Sequence, residues 1–194
     1  MESTDLALES AMGDRLKTLR MSGSMTLDDL AKSSGVSRAM ISRIERAEAS
    51  PTAALLARLC SALGVSLSAF FESTEQRPVS PLARRVDQPV WRDPDSLYLR
   101  RSVSPSGTGS RVDVVEVEFP PGARVRFAPQ PVSAGMTQHV WLFAGALEMT
   151  VGDEVHRLAP GDCLYMNIGD VHAFHNPSEV SARYAVIIDL GRAL

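Results

Sequence analysis

Between Val36 and Arg46 the chain sets Arg38, Arg43 and Arg46 against one acid, Glu45. A guanidinium donates two parallel hydrogen bonds to O6 and N7 of guanine, so arginines on the open face of a short helix can read base edges. Ser37, Ala39 and Ser42 keep that face small and polar. A second chemistry is offered by four histidines, His139, His156, His172 and His175, since neutral imidazole is a metal ligand. A tight divalent site needs three or four ligands, however, and His172 and His175, three apart, point to opposite sides of a regular strand. His156 lies in the polar stretch DEVHRL and reads as facing solvent. Cys60 and Cys163 stand far apart in apolar settings and imply no disulfide framework.

Short helices must hold the arginines. Leu27, Leu30 and Ala31 form one apolar face and Met40, Ile41 and Ile44 another, with Gly35 between them at a turn that suits positive φ. Ser37 is placed to cap the second helix, and Val36 and Ile41 to staple its entry. Thr26 and Asp29 form a capping-box-like start for the first. Upstream, Leu8, Met12, Leu16 and Leu19 repeat at helical spacing in a helix that ends near Met21. Downstream, Ser50 caps and Pro51 opens a helix carrying Leu55, Leu56, Leu59 and Leu63. Gly64 stops it, and a last short helix follows with Phe70 and Phe71.

Five short helices within residues 8–72, with this central pair, resemble the DNA-binding domain of phage-repressor-like (XRE-family) bacterial regulators. The resemblance implies that the second helix of the pair enters the major groove. Ser37, Arg38, Ala39 and, one turn on, Arg43 would then face the bases, with Ser42 on the same open faces. It also sets Thr26 with the amide that begins its helix, Arg46 and Lys17 against phosphates. Arg20 and Glu45 match positions that pair as a structural salt bridge. Residues 1–73 hold eight Lys/Arg against nine Asp/Glu, so the positive field is local to the groove-facing edge. One copy should bind weakly, and a homodimer on a palindromic operator in double-stranded DNA is the expected solution.

Composition shifts after Phe71. Residues 73–96, with Pro78, Pro81, Pro89 and Pro94, read as a linker or extended strap rather than a helix. Alternation then appears in LYLRRSV (97–103) and VDVVEVEF (112–119), and further strands are expected at 124–128, 138–144, 146–151, 154–158, 163–167, 171–175 and 182–190. So many short strands argue for an all-β barrel or sandwich. Residues 119–190 resemble the cupin family. Pro120-Pro121-Gly122, Gly145, Pro160-Gly161-Asp162, Gly169, His172 and Asn176 follow its two motifs, with Asn167 where the family has proline. The expected fold is therefore α+β and multidomain: an all-α five-helix head, then an all-β cupin (double-stranded β-helix) barrel over 97–194.

In metal-binding cupins the first motif supplies two histidines and a glutamate, and the second a further histidine. Here Ala128, Gln130 and Gln138 stand at the first three positions, and His172 alone matches, so no metal cofactor is expected. A barrel of this size can still enclose one small ligand. The motif positions make Arg126, Gln130, Gln138, Val140, Tyr165, His172 and Phe174 its expected lining, and Arg126 with His172 favours an anionic effector. The leading expectation is a ligand-responsive transcription regulator, not an enzyme. Two alternatives stay open: a metal-dependent cupin dioxygenase or isomerase with an attached helical domain, and a constitutive DNA-binding protein whose barrel only dimerises. The 194 residues, 44% hydrophobic with net charge −3, suit two compact soluble domains. The acidic start MESTDLALES lacks an apolar core, and no stretch is long enough to cross a membrane, so a cytoplasmic location without a membrane partner is expected.

Overall fold

A computed structural model describes residues 2–71, 80–129 and 135–190, and divides the chain into two compact units at Phe71–Glu72. The first unit holds α1 (Glu2–Ser22), α2 (Leu27–Ser34), α3 (Arg38–Glu45), α4 (Ala53–Ala62) and α5 (Leu67–Phe71). Its core is built from the expected apolar stripes: Leu16, Leu30, Ile41, Leu56 and Leu59 are fully buried. Burying each such side chain contributes about 1.5–3 kcal/mol, which is what holds helices of eight to ten residues that would be marginal alone. Leu27, Ala31 and Met40, expected inside, are only half-buried. The side chain of Leu8 lies outside those described.

The helix ends follow local chemistry. Thr26 and Asp29 form a full capping box on α2, and Ser37 Oγ accepts from the Met40 amide at the start of α3. Gly35 ends α2 at φ 65°, the left-handed conformation its position requires. One expectation is corrected: the cap of α4 is Thr52, whose Oγ1 accepts from the Leu55 amide, not Ser50. Pro51 consequently precedes the cap instead of opening the helix.

The second unit is antiparallel throughout. Its strands are β1 (Val90–Arg92), β2 (Leu99–Ser102), β3 (Val112–Phe119), β4 (Arg124–Phe127), β5 (Thr137–Ala144), β6 (Leu147–Val151), β7 (Glu154–Leu158), β8 (Cys163–Asn167), β9 (His172–His175) and β10 (Ala182–Asp189). They form a larger sheet in the order β1-β2-β3-β10-β5-β8 and a smaller one in the order β4-β9-β6-β7. The sheets face each other: Phe174 on β9 stacks on Tyr184 on β10, ring centroids 5.9 Å apart. Val117, Phe119, Val140, Leu142, Leu147 and Met149 fill the space between them. Within the stretch read as a strap, β1 pairs with β2, and a 3-10 turn covers Arg85–Asp87. Pro89 and Pro94 flank β1 without entering it, so the prolines that suggested a linker bracket a short edge strand.

Candidate DNA-reading face and barrel interior

α3 is held from three sides. Arg20 on α1 makes a bidentate pair with Glu45 at 2.6 and 2.9 Å, and its Nη1 donates to the Met25 carbonyl at 2.8 Å. This pair is mostly buried, so both groups serve the scaffold. Gly13 lets α1 approach the end of α3: a Cβ there would sit 2.6 Å from the Ile44 carbonyl oxygen. Arg58 on α4 donates to the Ser34 carbonyl at 3.1 and 2.9 Å and to the Gly35 carbonyl at 2.6 Å, satisfying the end of α2. Neither Gly13 nor Arg58 carries a local signal in the sequence; each matters through a partner about 23 or more residues away.

On that support the expected contact residues fall into two states. Ser37, Arg38, Ala39 and Arg43 are exposed. Arg38 has only a distant acid, Asp28 at 3.5 Å, and Arg43 donates to the Glu48 carbonyl at 3.3 Å. Arg46, by contrast, is engaged: Nε and Nη2 each meet a Glu48 carboxylate oxygen at 2.7 Å, and Nη1 donates to Ser42 Oγ. Glu48, a partner that sequence reading passed over, is held below the usual carboxylate range by Arg46. Lys17 is exposed on α1. Thr26 is where the expectation of an open amide fails, because its N–H donates to Asp29 Oδ2 at 2.9 Å and its hydroxyl to the same oxygen at 2.6 Å.

The barrel sorts its expected lining by strand parity. Gln138, Val140, His172 and Phe174 point between the sheets and are buried. Arg126 and Tyr165 do not: β4 turns Val125 and Phe127 inward and Arg126 out, and Tyr165 is 58% exposed on the outer face beside His139. Both are corrections, and both follow from the two-residue period. Gln130 lies outside the described residues. The inward cation is instead Arg100 on β2, 5% exposed, which donates to Ser102 Oγ at 2.8 Å and lies 3.9 Å from Asp113. In the adjacent pair at 100–101, alternation alone does not say which arginine is inside.

His172 stacks on Phe127 with centroids 5.0 Å apart, and burial lowers its pKa from the ordinary histidine value. Its Nδ1 lies 2.8 Å from the Asp170 carbonyl, which can only accept, so the proton sits on Nδ1 and Nε2 keeps a lone pair. Gln138 Nε2 contacts Met166 Sδ at 3.4 Å. Asn176 is fully buried, and its amide nitrogen lies within 3.1 Å of the Phe119, Pro120 and Val180 carbonyls, which ties the two motif turns together.

Comparison with known proteins follows the same division. Residues 16–70 match the helix-turn-helix family and residues 115–188 the cupin domain family. The chain belongs to the helix-turn-helix proteins that carry a cupin domain. It is 26% identical over 178 residues to the HTH-type transcriptional regulator SutR of Escherichia coli, covering 92% of this chain and 94% of that one. It is 23% identical to the HTH-type transcriptional regulator PuuR of the same organism, over 87% and 89% of the two chains. A crystal structure of an HTH_3 family transcriptional regulator from Vibrio cholerae matches 97% of this chain and 99% of its own, with a TM-score of 0.77 at 26% identity.

The residues at this cupin's metal positions do not fit a metal ion. Gln138 supplies an amide where the family has a carboxylate, and Ala128 supplies no donor. His139 lies on the outer face against Tyr165, and His175 is turned outward against Glu148, Nδ1 to Oε2 at 2.9 Å, leaving His172 without a second imidazole on its side. Among the described residues no three His, Cys, Asp or Glu form a metal-holding group, and no helix is long and apolar enough to cross a membrane.

Proposed function

We propose that this chain is a cytoplasmic transcriptional regulator that reads a palindromic operator as a homodimer through α3, and whose cupin barrel binds a small effector without a metal. The observation that carries it is the contrast on one helix: Arg20, Glu45 and Arg58 pin α3 and its approach, while Arg38 and Arg43 are left exposed on its open side. The matching HTH-type transcriptional regulators, similar over nearly the whole chain, support the same reading. Gel shifts with the chain's own promoter region test it. Specific binding is expected, and Arg38→Ala should cost about 1–3 kcal/mol at the cognate base pair while relaxing specificity there. Equal loss on every sequence would remove Arg38 from the base-reading set, and no specific binding at moderate salt would sink the regulator itself.

The effector class shifts with the geometry. Arg126 is outside, His172 is held neutral by burial, and Arg100 stands near Asp113, so the interior has no net positive charge to favour an anion. A neutral or zwitterionic molecule with a hydrogen-bond donor for His172 Nε2 suits it better. The barrel is read as a binding domain and not as an enzyme, because its donor set cannot hold the metal that cupin oxidations need. A second reading, a barrel that binds nothing, is favoured by the run of rings Trp91, Tyr98, Phe119, Tyr184, Phe174 and Phe127, each 5.8–6.2 Å from the next. Thermal melts against a metabolite panel separate the two, since only the first predicts a compound that raises the melting temperature.

A further inference from the structure

The outer face of the larger sheet is more apolar than a solvent-facing surface should be. Across it, Val114, Ile187, His139 and Tyr165 stand in one cross-strand row, and Ala185, Trp141 and Cys163 in the next. Trp141 is 46% and Tyr165 58% exposed, and Trp141 packs edge-on against Phe143 at 4.9 Å. Aromatic rings in a contiguous, flat patch of this kind mark a docking surface.

Charge on the strand running through the patch says what docks. β10 turns Arg183, Ala185, Ile187 and Asp189 outward, a cation at one end and an acid at the other with apolar residues between. The two ends are about 20 Å apart on an extended strand. Arg183 lies over the Phe143 ring at 5.9 Å, and Asp189 meets Arg111 at 3.1 Å. Such a strand is complementary to itself. Under a two-fold axis lying between the faces and across the strands, Arg183 meets Asp189 of the partner subunit, and Ala185 and Ile187 fall against their own symmetry mates. We propose that this face binds a second copy of the chain, with the two β10 strands antiparallel across the two-fold. The inference rests on the reading that DNA is bound by a pair of heads and names the surface that makes the pair.

The test is oligomeric state of the full chain without DNA, by sedimentation. The wild-type chain should be a dimer at micromolar concentration, and Ile187→Glu should weaken association at least tenfold. Arg183→Asp and Asp189→Arg should each weaken it similarly, because each places like charges opposite one another twice. An equimolar mixture of those two variants should restore dimers, since every contact is then between opposite charges, and this rescue also shows that both variants are folded. A monomeric wild type, single variants that stay dimeric, or a mixture that stays monomeric overturns the proposal. The regulator reading fails separately, in the gel shift: dimers that survive Ile187→Glu and still bind an operator would reject this face and leave that reading intact.

Discussion

Arg38 and Arg46 carry the same charge one helix apart, yet they are not equivalent. Arg38 is 65% exposed and meets its acid at 3.5 Å, whereas Arg46 is forked onto Glu48. A phosphate must compete with that fork, so Glu48 acts as a brake on backbone contact. Glu48→Gln should strengthen binding to all sequences alike and steepen the log affinity against log salt slope by up to about 0.9, the worth of one phosphate. An unchanged slope would show that Arg46 makes no such contact. In the barrel, His172 gives a pH signature of known sign. Its folded pKa lies below the ordinary value of 6.5, so above 6.5 both states are neutral and the stability is fully present. As pH falls below that value the unfolded chain takes up a proton that the buried ring refuses, and stability declines. Urea midpoints measured from pH 7.5 down to 5.5 should fall more steeply for the wild type than for His172→Gln, and parallel curves would contradict the burial argument.

At the scale of elements, α3 is positioned by an approach that only glycine allows. With a Cβ 2.6 Å from the Ile44 carbonyl, Gly13→Ala should push α1 off the end of α3 and cost about 1–3 kcal/mol, read as a lower urea midpoint with a lower DNA affinity. If α1 shifts freely, the midpoint stays where it is. Gly13 also illustrates what the sequence can and cannot say. Caps and stripes are written locally, so Thr26, Gly35, Ser37 and the Leu16–Leu59 core were legible, as were β3, β7 and β8 to the residue. Alternation in β4 could equally have placed Arg126 outside, because apolar Val125 and Phe127 flank it; the motif position was given more weight than the period, and the period decided. Close approaches and long-range pairs such as Arg58 with Ser34 have no local trace. β1 escaped because a three-residue strand between two prolines has too short a period to see.

At the scale of the whole molecule, one head is a poor reader. α3 has eight residues, about 12 Å of helix, which spans only three or four base pairs, and the head's own acids outnumber its bases by nine to eight over residues 1–73. Affinity must come from two heads held at a fixed separation, so the two half-sites should lie about 34–36 Å apart, one turn of the duplex, or a multiple of it. Inserting about five base pairs between the half-sites carries one of them to the opposite side of the duplex, where the second α3 cannot follow without releasing the first. Affinity for that operator should drop toward the non-specific level, on the order of a thousandfold at physiological salt. A variant that no longer dimerises, such as Ile187→Glu if the outer face of the larger sheet is the interface, should show the opposite behaviour: weak binding that the insertion leaves unchanged. Gel shifts with the two operators and the two proteins give four affinities. Spacing sensitivity in the wild type alone is the pattern that links the barrel's surface to the reading of DNA, and equal sensitivity in both proteins would mean that something other than this face sets the distance between heads.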